Sequence, residues 1–209
     1  MYIKVCGLKY EENIQAIADL KPDYLGFIFY KKSPRYVANE LSPIQLSNLD
    51  VNLKKAGVFV DEDLETIKQI CLDFQMETIQ LHGSESPAFC KQLKDLGFTI
   101  IKAFGIHEDF DFEEVNPYTP ICDFFLFDTK SSVHGGSGNH FHWELLKKYH
   151  LSTPYFLSGG ISLNDLDEIK KIKDEKLYAI DVNSRFELKP GLKDIQAIKS
   201  LIKKIRDEF

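Results

Sequence analysis

The sequence of 209 residues lacks an excess of basic charge, a long apolar run and paired cysteines. Its formal net charge is −6, which argues against nucleic acid or an anionic membrane surface as a partner. No apolar run approaches the roughly 20 residues that a membrane-spanning helix needs. The N-terminus MYIKVCGL does not follow the plan of a signal peptide either. Together these absences predict a globular protein of the cytoplasm.

The four cysteines of the chain have no paired spacing and no CxxC motif; they are Cys6, Cys71, Cys90 and Cys122. A disulfide framework or a zinc site would need closely spaced pairs. The pattern therefore predicts reduced thiols and no metal site.

Eight short apolar runs alternate with helical patterns or loops along the chain. They cover residues 2–6, 24–29, 55–60, 78–81, 98–103, 124–128, 155–157 and 178–182. The helical pattern is strong at 195–205 and weakest at 109–115. Regular alternation with nearly continuous apolar strands predicts a parallel sheet covered by helices. We predict a (β/α)₈ TIM barrel, α/β in class, as a single domain over residues 1–209. An open doubly wound sheet is the alternative, although no GxGxxG follows the first strand.

Chemistry in such barrels sits at the carboxyl ends of the strands. The residues there are unusually rich in ionisable or polar side chains: Cys6, Arg35, Asp61, His82, Lys102, Asp128, Asp181 and Asn183. Each also has a structural explanation. Cys6 is explained as a small buried residue, Arg35 as a surface residue, and His82 as a hydrogen-bonded strand end. Lys102 could extend to solvent, and Asp61 or Asp128 could cap the segment that follows.

Two glycines after the seventh strand, Gly159 and Gly160, precede Ser162 and a helical pattern. Glycine lets the backbone approach a ligand closely, and exposed amides at a helix start attract anions. Barrel loops at this position often hold a phosphate. The pattern predicts a phosphorylated small substrate.

Several longer motifs, in order along the full length, resemble those of the phosphoribosylanthranilate isomerase family of tryptophan biosynthesis. They are KVCGL, LGFIFYKKSPRYV, GVFV, QLHG, IKAF, LFDT followed by GGSGNHFHW, LSGGI and PGLKD. The resemblance implies an Amadori rearrangement of an aminoaldose phosphate to an aminoketose phosphate, without cofactor or metal. It implies Cys6 as general base, Asp128 as general acid and Arg35 as partner of the anthranilate carboxylate. Family members occur as monomers and as dimers, so we expect a monomer or a homodimer.

The remaining site assignments follow from the same resemblance and from position on the rim. The loops after strands seven and eight are expected to hold the phosphate through Gly159, Gly160, Asn183, Ser184 and Arg185. His82 and Asp181 are predicted to contact the substrate. Arg185 stands where the family usually has glycine, so it either touches the phosphate or faces solvent. Asn139, His140 and His142 are interpreted as variation in a lid.

The chemistry sets requirements on the predicted acid and base. A thiol near its ordinary pKa of about 8.5 is mostly protonated at neutral pH, so Cys6 is expected to have a lowered pKa. Lys4, two residues earlier on the same strand face, is the candidate cause. Asp128 must donate a proton, and an apolar seat of Phe125, Leu126 and Phe127 would favour its protonated form. The fork of Arg35 suits a planar carboxylate.

Two rival functions remain at this stage. One is the aminoaldose isomerase of histidine biosynthesis, which usually has two aspartates and a substrate with a phosphate at each end. Cys6 and a single evident pair of phosphate loops count against it. The other is a barrel that binds a phosphosugar without turnover, which would not need both Cys6 and Asp128.

Overall fold

The computed structural model describes residues 1–50, 52–129 and 143–209. Within them, eight parallel strands pair in chain order, and the first also pairs with the eighth, which closes the barrel. The strands are β1 (Tyr2–Val5), β2 (Tyr24–Ile28), β3 (Lys54–Phe59), β4 (Thr78–Leu81), β5 (Thr99–Ile106), β6 (Phe124–Thr129), β7 (Tyr155–Leu157) and β8 (Leu177–Val182). Closure confirms the predicted (β/α)₈ barrel and excludes the open sheet.

Helices follow most strands, as the alternation predicts. They are α1 (Glu11–Ala18), α2 (Pro43–Ser47), α3 (Leu64–Asp73), α4 (Pro87–Asp95), α5 (Leu166–Ile169) and α6 (Ile195–Glu208). The weakest predicted helix, at 109–115, is instead a 3₁₀ helix over Phe112–Tyr118. It contains Pro117, which has no N–H to donate to an α-helical ladder. Further 3₁₀ turns cover Trp143–Lys148, Leu163–Asp165 and Ser184–Phe186.

A short hairpin that the sequence patterns did not predict follows β8. Its antiparallel strands are β9 (Glu187–Lys189) and β10 (Leu192–Lys193). The turn between them contains Gly191 at φ 86, a conformation that glycine adopts without strain. The hairpin places Glu187 and Lys193 next to each other at the carboxyl end of the barrel.

Side chains alternate between the two faces of each strand, so the barrel has an inner and an outer layer. The inner apolar cluster consists of Tyr24, Ile101, Ala103, Leu126, Phe156 and Ala179. The outer cluster between barrel and helices is much larger and includes Phe125 and Phe127. Within the described parts of the chain, no helix is both long and apolar enough to cross a bilayer.

The last helix is anchored by a side-chain cap. Asp194 accepts hydrogen bonds from the backbone N–H groups of Gln196 and Ala197, both at 3.0 Å. We predict that Asp194→Ala lowers the free energy of unfolding by about 1 kcal/mol, because two N–H groups lose their acceptor. In thermal denaturation this corresponds to a fall of about 2–4 °C in Tm.

The matched control for this substitution is Asp207→Ala, which changes an exposed aspartate in the last turn of the same helix. It removes no N-terminal cap and should alter the unfolding free energy by less than about 0.5 kcal/mol. Equal losses in the two variants would contradict a capping role for Asp194.

Candidate active site

One cavity at the carboxyl ends of the strands is lined by every residue predicted for the site. These are Cys6, Arg35, His82, Asp128, Gly159, Gly160, Asp181, Asn183, Ser184 and Arg185. The space inside it that a water molecule can occupy is about 130 Å³, and the cavity opens to solvent. The structure therefore brings these ten residues together, while their individual roles stay predictions.

Cys6 lies just past the end of β1, buried against the neighbouring strand. A side chain at Gly26 of β2 would bring its Cβ to 2.8 Å from the Cys6 Sγ, so glycine is needed there. Lys4 lies one pleat earlier and donates to Asp181 Oδ1 at 2.9 Å. Lys4 and Asp181 are paired residues of β1 and β8. The thiol thus has an ammonium group beside it, as the sequence predicts.

The prediction that the surroundings lower the pKa of Cys6 is wrong. Burial raises the pKa of the thiol, and the nearby Asp181 carboxylate also raises it. The charge of Lys4 and its hydrogen bond lower the pKa but do not outweigh burial. The main physical reason is the loss of water around the buried thiol, and the Asp181 carboxylate that pairs with Lys4 disfavours the thiolate further. Burial likewise raises the pKa of Asp181 despite the opposing charge of Lys4.

Asp128 lies one residue before the end of β6, with a side chain that is 27% exposed. The apolar environment expected around the Asp128 carboxyl group is not formed, because strand alternation points Phe125 and Phe127 into the outer cluster. Of the three apolar residues proposed, only Leu126 shares the inner face with Asp128. The carboxylate instead accepts from the Thr129 N–H at 2.9 Å. Any capping of the segment after Asp128 concerns residues 130–142, outside the described residues.

His82 faces Asp128, with 3.4 Å between Nε2 and Oδ2. Gln80, one pleat earlier on β4, places its Nε2 at 2.9 Å from the His82 Nδ1. If the Gln80 amide donates, Nδ1 accepts and the Nε2–H of His82 faces Asp128. Gln80 also lines the cavity, and its buried Oε1 has no hydrogen-bond partner among the residues that the structure describes. Gln80 was not predicted for the site, although it precedes His82 in the QLHG motif.

The glycines after β7 have the geometry that their identity suggests. Gly159 and Gly160 have φ values of 97° and 68°, where other residues are strained. A Cβ on Gly159 would lie 2.7 Å from the Thr129 nitrogen and 3.0 Å from the Asp128 Oδ1. The predicted helix after them is only a 3₁₀ turn followed by the four residues of α5. An anion there would thus be bound by loop amides, with little help from a helix dipole.

The loop after β8 forms the adjoining wall of the cavity through Asn183, Ser184 and Arg185. Arg185 is exposed and also lines the cavity, so its contact with the phosphate or with solvent stays a prediction. The predicted lid variation at Asn139, His140 and His142, and the glycine-rich loop at 134–138, lie outside the described residues.

Arg35 is buried at the cavity wall, which contradicts the reading of it as an ordinary surface residue. Its Nε donates to both carboxylate oxygens of Glu187 at 2.9 and 3.1 Å, and its Nη2 donates to Oε2 at 2.6 Å. Lys193 also pairs with Glu187, at 2.8 Å. Glu187 and Lys193 are site-adjacent residues that the sequence analysis missed. The signal for Lys193 was its place in PGLKD, but neither residue ends a barrel strand.

Two rim residues are placed differently from their predicted positions. Lys102 neither reaches solvent nor lines the cavity; it is buried, pairs with Glu85 at 3.2 Å and donates to the Gly83 carbonyl at 2.8 Å. Asp61 is not the helix cap, because Asp63 caps α3 by accepting from Thr66. Asp61 instead accepts from the Ser84 N–H at 2.6 Å, which fastens the loop after β4. Over the described ranges, no group of three or more His, Cys, Asp or Glu side chains is arranged to hold a metal ion.

Residues 3–204 match the family model of N-(5'-phosphoribosyl)anthranilate (PRA) isomerase. The chain is 40% identical over 208 residues to the N-(5'-phosphoribosyl)anthranilate isomerase of Parabacteroides distasonis, covering 98% of this chain and 93% of that protein. The Thermoanaerobacter pseudethanolicus enzyme of the same name is 37% identical over 205 residues, covering 98% and 97%.

Solved structures agree with the sequence matches. Phosphoribosyl anthranilate isomerase from Thermotoga maritima superposes with a TM-score of 0.87 at 30% identity over 99% of both chains. Another structure of the isomerase, 28% identical with a TM-score of 0.83 over 99% of both chains, contains reduced 1-(o-carboxyphenylamino)-1-deoxyribulose 5-phosphate. Fold, cavity and sequence lead to one conclusion: this chain belongs to the N-(5'-phosphoribosyl)anthranilate isomerase family.

Proposed function

We propose that this chain isomerises N-(5'-phosphoribosyl)anthranilate to 1-(2-carboxyphenylamino)-1-deoxyribulose 5-phosphate, a step of tryptophan biosynthesis. The observation that carries the proposal, beyond family membership, is that a thiol and a carboxyl group line the same cavity at the barrel mouth. The reaction needs one general acid and one general base on the same pentose, and no redox or metal chemistry.

Asp128 acts first, as the general acid. Its proton goes to the ring oxygen of the ribose, and the bond from that oxygen to C1′ breaks as the anilino nitrogen forms a double bond to C1′. Cys6 then takes the proton from C2′, and the electrons of that bond form the enolamine. Tautomerisation of the enolamine gives the ketone at C2′. The product is an isomer of the substrate, so atoms and electrons balance.

The cavity wall offers a place for each end of the substrate. The apolar side chains Ile28, Val58 and Val60 line the cavity on one side, where the transfer of an aromatic ring out of water is favourable. Arg35 lies in the same wall and suits the ring carboxylate. The phosphate is assigned to the amides of Gly159 and Gly160 and to the loop of Asn183, Ser184 and Arg185. His82 and Asp181 are assigned to the sugar between them.

A turnover assay tests the proposal. The purified chain is mixed with N-(5'-phosphoribosyl)anthranilate and the loss of substrate fluorescence is followed. In parallel it receives the aminoaldose of the histidine pathway. We expect turnover of the first substrate, which also excludes a barrel that only binds phosphosugars. Turnover of the histidine-pathway substrate alone, or of neither, would overturn the assignment.

Assembly is a separate prediction. A structure of a Thermotoga maritima relative is described as monomers derived from a dimeric isomerase. We keep the expectation of a monomer or a homodimer for this chain, and light scattering on the purified protein distinguishes the two.

The raised pKa of Cys6 leads to a prediction for pH dependence. Because the thiolate is the form that reacts with an alkylating agent, the rate of Cys6 alkylation should rise as pH rises from neutral toward the pKa of the thiol. Lys4→Met removes the charge that opposes the effect of burial, so the alkylation profile should move to higher pH. The measurement is the iodoacetamide reaction rate across pH, read by mass spectrometry at Cys6.

Lys4→Met leaves Asp181 buried without its partner, so the double variant Lys4→Met/Asp181→Asn serves as the control for folding. Removal of both charges should restore stability relative to Lys4→Met, because neither charge is left unpaired. An unchanged alkylation profile in Lys4→Met would show that Lys4 does not act on the thiol.

A further inference from the structure

We propose that Glu187 is a positioning residue for Arg35, and that the pair makes the site selective for substrates that carry a carboxylate on the aromatic ring. The inference rests on the proposed function and extends it to a residue for which the motifs suggest no role. Lys193 is part of the same cluster of side chains, because it binds both Glu187 and Asn183 and so holds them in place.

The geometry of the Arg35–Glu187 pair leaves one edge of the guanidinium for the substrate. The Glu187 carboxylate accepts hydrogen bonds from the edge formed by Nε and Nη2, with nitrogen–oxygen distances of 2.6–3.1 Å. A guanidinium has five N–H donors in a rigid plane, and the hydrogen bonds to Glu187 occupy Nε–H and one N–H of Nη2. The remaining edge, formed by Nη1 and Nη2, keeps the fork shape that binds a carboxylate through two parallel hydrogen bonds. Arg35 lines the cavity, and we assign this edge to the ligand.

Glu187 itself is held from two further directions. Its Oε1 accepts from Lys193 Nζ at 2.8 Å and from the Gly191 N–H at 3.0 Å. Burial raises the pKa of Glu187, but the hydrogen bonds from Arg35 and the charge of Lys193 bring it below its usual value overall. Glu187 therefore stays ionised, and its carboxylate is a fixed anchor for the guanidinium.

Lys193 extends the anchor to the loop after β8. Its Nζ donates to the side-chain oxygen of Asn183 at 2.7 Å and to the Asn183 carbonyl at 3.3 Å. Burial lowers the pKa of Lys193 to about 8 although Glu187 opposes this, so the ammonium persists at neutral pH. The cluster also touches the end of β1: a Cβ on Gly7 would lie 2.6 Å from Asn183 Oδ1 and 2.7 Å from Arg35 Cδ.

The charge of this buried cluster points to the chemistry of its ligand. Arg35 and Lys193 are positive and Glu187 is negative, so the three side chains carry one net positive charge. All three are nearly inaccessible to solvent, with side-chain exposures of 10%, 0% and 4%. One carboxylate neutralises the cluster, whereas a neutral ring leaves a buried charge uncompensated. The arrangement thus favours an ortho-carboxyphenyl group over an unsubstituted phenyl group.

A pair of stable ligands tests the inference. One is reduced 1-(o-carboxyphenylamino)-1-deoxyribulose 5-phosphate, and the other is the same compound made from aniline, which lacks the carboxylate. Calorimetry gives the affinity of each for the full chain and for Glu187→Gln. We expect Glu187→Gln to weaken the carboxylate ligand about 10- to 100-fold, because loss of the two-point anchor displaces the guanidinium, which outweighs the attraction of the added positive charge. The ligand without carboxylate should weaken less than about 3-fold.

The comparison variants separate positioning from general support of the loop. Arg35→Ala should remove the difference in affinity between the ligands with and without the carboxylate. Adding Glu187→Gln to Arg35→Ala should change that difference little. Glu187→Asp keeps the charge and should restore part of the difference in affinity between the two ligands. This variant also tests the inference if the Glu187→Gln protein does not fold. Glu85→Gln makes the same change at a buried glutamate paired with Lys102 outside the cavity, and should preserve the difference between the ligands.

Equal weakening of both ligands in Glu187→Gln, or no weakening of either, would overturn the inference. Failure of the proposed function looks different: the unsubstituted chain would then bind neither ligand and would not turn over N-(5'-phosphoribosyl)anthranilate. In steady-state kinetics, Glu187→Gln should raise KM for that substrate with kcat changed less than about 3-fold.

Discussion

Cys6→Ala should lower kcat by about 10²–10⁴-fold while the affinity for a product analogue stays within about 3-fold of the unsubstituted chain. The substitution removes the Sγ that takes the C2′ proton and leaves the backbone of β1 unchanged. Because Cys6 contributes only a small side chain to the core, the fold should persist. Fluorescence-detected turnover gives kcat, and calorimetry gives the affinity.

Cys71→Ala is the matched control for this experiment. Cys71 is equally buried, but it lies on α3 and does not line the cavity. Its replacement costs some stability and should leave kcat unchanged. A kcat near that of the unsubstituted chain in Cys6→Ala would remove the thiol from the mechanism and leave the base unassigned.

Asp128→Asn should also lower kcat by about 10²–10⁴-fold, because an amide has the shape of a carboxyl group but cannot supply its acidic proton. The oxygen of the new side chain can still accept from the Thr129 N–H, so the end of β6 should keep its geometry. Kinetics separate the possible roles: a general acid affects kcat, whereas a residue that only binds substrate affects KM.

Asp95→Asn provides the corresponding control on the protein surface. Asp95 pairs with Lys91 on the exposed side of α4 and does not line the cavity. Exposed pairs of this kind contribute about 0–1 kcal/mol, so kcat should not change. A raised KM with normal kcat in Asp128→Asn would assign Asp128 to binding and leave the acid to another group.

The barrel itself was predictable because its signals are local. Strand-forming runs and helical spacing are properties of neighbouring residues, and their regular alternation allows few topologies. The deviations were local as well: β5 extends to Ile106, and Pro117 interrupts the helical ladder in the segment before β6. The hairpin at Glu187–Lys193 was missed because its strands are only three and two residues long.

The candidate site was predictable to the extent that strand ends meet at one rim. This rule brought Cys6, His82, Asp128 and Asp181 into one cavity. It failed for Lys102, which stands on β5 but faces outward. The inward or outward direction depends on the phase of the pleat, and a shift of one residue reverses it. An apolar strand such as β5 gives no alternation from which to read that phase.

The sequence by itself determined the family, the barrel and the positions of the thiol and the carboxyl group, because these follow from residue order. Only the tertiary structure decided which charged side chains pair. Arg35 pairs with Glu187, 152 positions away along the chain, and Lys4 pairs with Asp181, 177 positions away. It also decided the pKa of Cys6, since burial by neighbouring strands outweighs the charge of Lys4. Loss of water and long-range ion pairing depend on which surfaces the fold brings into contact.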